Sequence, residues 1–496
     1  MSALVDLAPP AVASEPQPPA PPRRRDRLAR LYWLLPAVVT AVVVSIQLDR
    51  PQLWRDEFAT VTASGRSLGD MARLAQHIDA VLTPFYVFMH FWTAVFGNST
   101  IALRVPSLLA VAATAGLLAV LGERLFSVRA GVFAGLLFAA LPAVSRYGQE
   151  ARPYALAALA ATAATLMLVE AVRKGRWWRW VLYGLAVFAL GALHLVAIVL
   201  VAGHGVAVLY VAIRRRNWRL LLWAGIAVAV AGAALLPMAL RGNSQWAVQL
   251  GTAPRPPDWQ TLIRVASDVS GATTGGGVLL ALLLLGAGTS RRGRLLGAVL
   301  FVPLAAFVVM TVVSPLWHPR YLFFLIPLAC LLGGAGLALV PWRAALVVVI
   351  LCGVVALTEH QGVRESHEGR GAPLIDYRAA VAVLEQNAQP GDAIVYKRDG
   401  WQFADIATDY YLGAGAPRDA LVKVGRDAAG SFWTTERPNV RRALGADPRV
   451  WTMVPDDLSR RKAELPEATL TAIEADFTEA GEWRVGGITL RLYDRR

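Results

Sequence analysis

The chain has 496 residues, 56% of them hydrophobic and 17% charged, with a mean hydropathy of +0.46. A soluble protein is usually about a quarter charged and near half apolar. These figures exclude an ordinary cytosolic enzyme, and equally a disordered or collagen-like chain. The net charge of +14 is no sign of nucleic-acid binding, because it is unevenly spread: residues 1–358 carry 30 Lys+Arg and 13 Asp+Glu, whereas 359–496 carry 19 and 22. The positive charge travels with the apolar part, as it does in membrane proteins with basic cytoplasmic loops.

Residues 1–22 are rich in Pro and Ala and lack hydrophobic periodicity, and Arg23, Arg24, Arg25, Arg27 and Arg30 follow. Residues 1–30 read as a disordered cytoplasmic tail. The apolar run 31–48 is long enough for a retained signal-anchor and shows no small-residue cleavage site. Further runs near the ~20 residues that cross a bilayer lie at 103–121, 130–146, 154–172, 178–194, 195–213, 219–239, 276–290, 295–314, 320–340 and 343–358. With the first, they predict eleven spans over 31–358. Cys330 and Cys352 both lie inside apolar runs and read as packing residues.

Charge tests this arrangement. With the N-terminus in the cytoplasm, the inside segments hold 19 basic residues, and the outside segments hold 11 basic residues and eight acids. That bias is what the positive-inside rule expects. Residues 81–97 are apolar too, but counting them as a span would turn the RKGRWWRWV and RRRNWR segments outward. They read instead as an interfacial helix within a first outside loop, 49–102. An odd number of spans places 359–496 outside. This region reads as a small α/β domain, with a helix over Tyr377–Gln386 and strands over Ala393–Tyr396, Ala420–Val424, Arg449–Val454 and Gly487–Tyr493.

Ionisable groups beside a membrane are the informative ones, because burying them in lipid costs free energy. Asp56 and Glu57 follow the first span closely. One carboxylate of such a pair can act as a general base, and the other can orient an acceptor or bind a metal; a solvated helix N-terminus carrying two acids would look the same. Arg146, Glu150, Arg152 and Tyr154 lie between two spans, and Arg320 and Tyr321 open a late one. An arginine there can bind phosphate through its planar fork, pair with a neighbouring acid, or snorkel to the interface. His194 sits at the outside tip of a helical hairpin, whereas His204 falls mid-span and reads as a packed residue. His77 and Asp79, two residues apart, are weak as a metal motif, and a divalent metal ion stays an open possibility.

Taken together, the motifs resemble the membrane-embedded GT-C glycosyltransferases of the family 39-like type, which includes protein O-mannosyltransferases and aminoarabinose transferases. The resemblance rests on Asp56-Glu57, Asp79 with Thr83-Pro84-Phe85-Tyr86, Ala102–Ser107, Gln149–Tyr154 and Arg320-Tyr321. Asp376–Ala380 through Pro390-Gly391-Asp392 looks like the outside domain of actinobacterial mannosyltransferases. The resemblance implies a GT-C-type polytopic helical fold in the plasma membrane. It also implies transfer of a hexose, mannose favoured, from a polyprenyl-phosphate donor to a protein, glycan or lipid hydroxyl. Asp56 would be the base and Glu57 the acceptor-orienting or metal-binding group. Arg320, Arg152, Arg146 and Tyr321 would hold the donor phosphate, supported by Asp79, His77, His194, Glu150 and Tyr154. The sequence departs from related loops, which often carry a lysine ahead of Pro-Pro-Leu: the only lysine before residue 359 is Lys174. A polyprenyl-diphosphate-dependent polymerase or ligase, a transporter and a non-catalytic scaffold are the rival readings.

Overall fold

The computed structural model describes residues 31–496 except 251–255, 272, 315, 368–374, 399 and 457–463. The tail expected over 1–30 lies outside the described residues. The chain is mostly helical as far as Glu365. Among the described residues six helices are long and apolar enough to cross a membrane: Thr100–Leu125, Tyr154–Lys174, Leu195–Arg215, Arg219–Trp246, Arg291–Thr311 and Pro319–Leu337. Two bent pairs raise the number to eight if each is one span. Leu34–Ser45, Trp177–Leu193 and Gly276–Gly288 are apolar but shorter. Each of the eleven expected spans thus meets a helix, but only six of those helices meet the length criterion unbroken.

The expected single span 130–146 is broken. Helix Val128–Ala139 gives way at Ala140 and Leu141, and Pro142–Gly148 continues at an angle of 69°. Pro142 opens the second piece, where its missing N–H costs nothing, and Leu141 before it is extended. The bend directs the chain into the loop that carries Glu150 and Arg152. The helices behind it approach closely through small residues. A Cβ added to Gly122 would lie 2.2 Å from the Gly131 Cα, and one on Gly334 would lie 2.3 Å from the Ala130 carbonyl. Backbones meeting at such distances are the means by which apolar helices associate without a hydrophobic gradient between them. His204 packs as expected, bonded to Thr165 and Tyr183, both at 3.1 Å.

The segment between the first two helices folds into four short pieces: Arg55–Ser64, Leu68–His77, a 3-10 turn Ala80–Leu82, and Thr83–Phe96. Ser67 caps the second by accepting from the Asp70 N–H at 3.1 Å. His90 joins the fourth to the Ser64 carbonyl at 2.9 Å.

Beyond residue 376 the chain builds a five-stranded sheet from β1 (Ala393–Tyr396), β2 (Arg418–Asp419), β5 (Arg449–Pro455), β6 (Phe477–Val485) and β7 (Ile488–Arg495), in the order β2-β1-β5-β7-β6. Strands β3 (Val422–Val424) and β4 (Thr435–Glu436) form a separate antiparallel pair. β1 runs parallel to β2 and β5, and β7 runs antiparallel to β5 and β6. The tight β6–β7 turn needs two residues of positive φ, and Gly486 (50°) and Gly487 (76°) provide them. The two-residue strands β2 and β4 and the long strand β6 are missed in the sequence reading. β6 is a largely exposed edge strand with an irregularity between Glu479 and Gly481, so it has no apolar run. The sheet packs directly on the first-loop helices: Leu53, Phe58 and Tyr86 share one core with Tyr377, Ile394 and Trp451. The Phe58 and Tyr377 rings meet edge-on at 5.1 Å.

One buried ion pair ties this loop to the helical body. Arg104 and Glu57 have fully buried side chains. Arg104 donates from Nε to Glu57 Oε1 at 3.0 Å and from Nη2 to Oε2 at 2.8 Å. Its other N–H groups reach the carbonyls of Leu48 (2.8 Å), Pro51 (2.9 Å) and Gln52 (3.2 Å). Removing one member of such a pair leaves the other charge buried alone. R104A is therefore expected to lower stability by about 3–5 kcal/mol, while the double variant R104M/E57M recovers much of the loss. The thermal midpoint of detergent-purified protein measures this, and an unchanged midpoint in R104A would refute the role given to the pair.

Candidate functional site

Asp56 and Glu57 are neighbours on helix Arg55–Ser64, and the ~100° turn between successive residues sends them in different directions. Glu57 points into the protein. Besides Arg104 it accepts from the Ala151 N–H at 2.9 Å and the Trp54 N–H at 3.4 Å. Burial opposes its charge, but Arg104 and the bonds around it hold its carboxyl far below the usual range. It does not line the cavity described below, so the expected acceptor-orienting or metal-binding role does not fit its position. Its oxygens are taken by Arg104 and the backbone.

Asp56 points instead into a cavity of about 560 Å³. Arg152, Tyr154, His194, Arg320 and Tyr321 line the same cavity, with Asp79 and an apolar wall that includes Leu193, Leu195, Val196 and Leu316. Arg320 Nη1 donates to Asp56 Oδ2 at 3.0 Å. Arg152 Nη1 donates to the Asp56 carbonyl at 3.3 Å and to the Tyr86 hydroxyl at 3.5 Å. Tyr86 in turn donates to Asp79 Oδ2 at 2.6 Å. The Arg320 guanidinium lies 5.8 Å from the centroids of the Trp54 and Tyr154 rings and 5.7 Å from that of Tyr321. Burial would raise the Asp56 pKa; Arg320 first, then Arg152, Arg55 and Arg146, outweigh it and hold the carboxyl below its ordinary value.

Three buried nitrogens in the described residues of the cavity wall have no hydrogen-bond partner, the His194 one being donor or acceptor according to tautomer. The Nε atoms of Arg152 and Arg320 and Nδ1 of His194 are buried without a hydrogen-bond partner, and Arg152 is only 7% exposed. Two guanidiniums lining one cavity suit an anion with several oxygens. A buried donor left unpaired costs free energy, so a ligand that satisfies it is favoured.

Besides Glu57, three expected site residues lie outside this cavity. Glu150 is fully buried, accepting from Trp54 Nε1 at 3.0 Å and pairing with Arg146 at 2.7 Å. Burial raises its pKa beyond what Arg146 offsets. Arg146 is held by Glu150 and by the His367 carbonyl at 2.6 Å, and it faces a different cavity, with Asp268 and Glu359. Its charge therefore orients Trp54 and Glu150 and leaves the phosphate-like site to Arg152 and Arg320. His77 accepts from no cavity group; its Nδ1 lies 2.9 Å from the Arg73 carbonyl one turn earlier. Among the described residues no three His, Cys, Asp or Glu side chains converge in a way that would hold a metal ion. Conversely, Trp54, Tyr86, Arg104, Trp246, Trp401 and Phe403 belong to the site or its support without standing out in the sequence. Arg104 lies within the Ala102–Ser107 motif and Tyr86 within Thr83–Tyr86, the available signals. Trp401 is hundreds of residues from Asp56, and no local pattern marks it.

Residues 83–240 match the family described as dolichyl-phosphate-mannose-protein mannosyltransferase. A sequence search of curated proteins returns no match. The fold is similar to that of ArnT from Cupriavidus metallidurans in the apo state, with a TM-score of 0.62 and 15% identity over 94% of this chain and 98% of that one. The same protein bound to undecaprenyl phosphate matches with a TM-score of 0.62 and 14% identity, over 93% and 98% of the two chains. The mycobacterial arabinofuranosyltransferase AftD matches at 0.50 with 19% identity, over 94% of this chain and 41% of that one. At these identities the structural likeness speaks for the fold. With the family match over 83–240 it bears out the resemblance read from the sequence, and the chain has the fold of the membrane-embedded GT-C glycosyltransferases.

Proposed function

We propose that this protein transfers a hexose from a polyprenyl-phosphate donor to a hydroxyl of an extracytoplasmic protein, glycan or lipid acceptor, with inversion at the anomeric carbon. The observation that carries the reading is a carboxylate, Asp56, sharing a cavity with Asp79 and three arginines, two of which, Arg152 and Arg320, have Nε–H groups without a partner. ArnT, which is similar in fold, binds undecaprenyl phosphate, and this supports a donor of that lipid class. The apolar wall suits a prenyl chain, and the arginines suit its phosphate.

The chemistry follows from these positions. The acceptor oxygen attacks the anomeric carbon, and the carbon–oxygen bond to phosphate breaks with its electron pair leaving on the phosphate. Arg152 and Arg320 stabilise that charge in a partly dehydrated site. Phosphate is already a good leaving group, so no general acid is needed. The acceptor proton goes to Asp56. In the unliganded protein Arg320 keeps Asp56 ionised but also makes it a weak base. A donor phosphate on Arg320 neutralises that guanidinium and lets the Asp56 basicity recover, so base and substrate become ready together. Glu57 acts through position: it anchors the helix from which Asp56 projects. We assign the membrane part to 31–358 and the extracytoplasmic part to 359–496, with eleven spans and the N-terminus in the cytoplasm. The charge bias of the loops supports this, as does the packing of Tyr377 on Phe58, beside Asp56.

D56N is expected to cut transfer at least about 100-fold with the thermal midpoint preserved. Purified protein given polyprenyl-phosphate hexoses and a membrane extract, with mass spectrometry of the products, measures this. Retained activity in D56N would sink the assignment, and release of a polyprenyl diphosphate in place of the monophosphate would indicate the polymerase or ligase chemistry. R320Q removes the nearest charge that lowers the Asp56 pKa, so that pKa rises and the base form is reached only at higher pH. The acid limb of the kcat/KM profile, which reports free enzyme, is therefore expected to move to higher pH in R320Q. An unmoved limb would separate Arg320 from the titration of Asp56.

A further inference from the structure

Part of the cavity wall comes from the C-terminal region. Trp401 and Phe403 line it, together with Trp246 and Asn243 from the membrane half. Neither phosphate binding nor proton removal uses these groups.

Several contacts hold residues 400–403 around Trp401. Phe403 has a φ of 50°, the left-handed region that a bulky side chain adopts only when its surroundings enforce it. Trp433 Nε1 donates to the Gly400 carbonyl at 3.0 Å, and Gln402 Nε2 donates to the Asp456 carbonyl at 3.4 Å. The Tyr377 hydroxyl donates to the Gln402 carbonyl. The Trp401 ring is met by the Trp433 ring at 4.8 Å and 76°, and by the Phe403 ring at 5.7 Å and 71°. The loop bearing Trp433 is itself tied to the membrane half. Arg66, 2% exposed, pairs with Asp427 at 3.0 Å and donates to the Ser431 carbonyl at 2.5 Å. Trp401 is thus an indole fixed by two ring contacts and a strained neighbour, half-buried, on the wall of a cavity.

A pyranose ring offers a face of C–H bonds flanked by hydroxyls. Such a face stacks on an electron-rich indole, and a nearby amide such as Asn243 can bond the hydroxyls at the rim. We propose that Trp401 is the stacking platform for a hexopyranose ring, brought to the Asp56 cavity by the C-terminal region. This rests on the glycosyl-transfer reading above and adds a sugar subsite to it. The ring can belong to the donor or to a glycan acceptor; the chemistry is the same, and binding experiments tell the sources apart.

The first arm compares the affinity of detergent-purified wild type, W401A and W401F for polyprenyl phosphate with that for polyprenyl-phosphate mannose and polyprenyl-phosphate glucose, by calorimetry. The expectation for a donor ring is that W401A weakens the better-bound sugar phosphate about tenfold, leaves polyprenyl phosphate unchanged, and that W401F retains most of the affinity. The second arm records saturation-transfer NMR of methyl α-mannopyranoside and methyl α-glucopyranoside on protein saturated with polyprenyl phosphate. A signal present in wild type and lost in W401A assigns the ring to an acceptor. Equal sugar affinities and equal NMR signals in wild type and W401A, or no sugar response in wild type by either arm, overturn the proposal. Failure of polyprenyl phosphate itself to bind wild type strikes instead at the functional reading on which the proposal rests.

Discussion

The fully buried pair between Glu57 and Arg104 is the constraint on which the site depends. Two charges out of water need almost every donor and acceptor satisfied, and here Arg104 bonds one carboxylate and three carbonyls. Those carbonyls belong to the strand of chain between the first helix and helix Arg55–Ser64. The pair therefore sets the height and rotation of that helix against Thr100–Leu125, and with it the direction of Asp56. The Ala151 N–H on Glu57 and the Thr60 hydroxyl on the Ala151 carbonyl at 3.0 Å extend the same anchorage to the loop of Arg152. Base and anion site are thus positioned by one connected set of bonds.

Around that anchor, charge is divided by access. Glu57, Arg104, Glu150 and Arg146 neutralise one another away from the cavity, although Arg146 contacts a second one. Asp56 and Asp79 face the principal cavity with Arg55, Arg152 and Arg320, so guanidiniums outnumber carboxylates by one. That excess suits a singly charged phosphodiester donor, and Asp56, which Arg320 touches, is the carboxylate whose basicity such a ligand would change. His367, which burial and the nearby arginines push down to about 3, stays neutral beside Glu57 and adds no charge to the buried set.

The C-terminal region has a closer relation to the membrane half than a tethered module would. Phe58, one residue after Glu57, sits in a core completed by Tyr377, Tyr410 and Tyr411. Arg378 donates to the carbonyls of Asp49 (3.1 Å) and Arg50 (3.0 Å), at the end of the first helix. A substitution that unfolds the sheet would accordingly disturb Asp56 as well as any surface of its own.

Much was legible in the sequence because it depends on local pattern. Apolar runs marked a helix at every expected span, short strand-like runs marked four strands, and arginine-rich loops separated the two charge regimes. The pairing of Asp56 with arginines 96 and 264 residues away was legible only as a shared side of the membrane. Which of two adjacent carboxylates would be free was not legible, because Asp56 and Glu57 are chemically equivalent until Arg104 claims one of them. Arg146 and Arg152 posed the same problem, and the bend at Pro142 with the Glu150 contact resolved it. Composition and periodicity decide where the chain is buried and how it is charged. Only the tertiary structure decides which buried charge finds a partner, since partners in this fold come from elements that the sequence holds far apart.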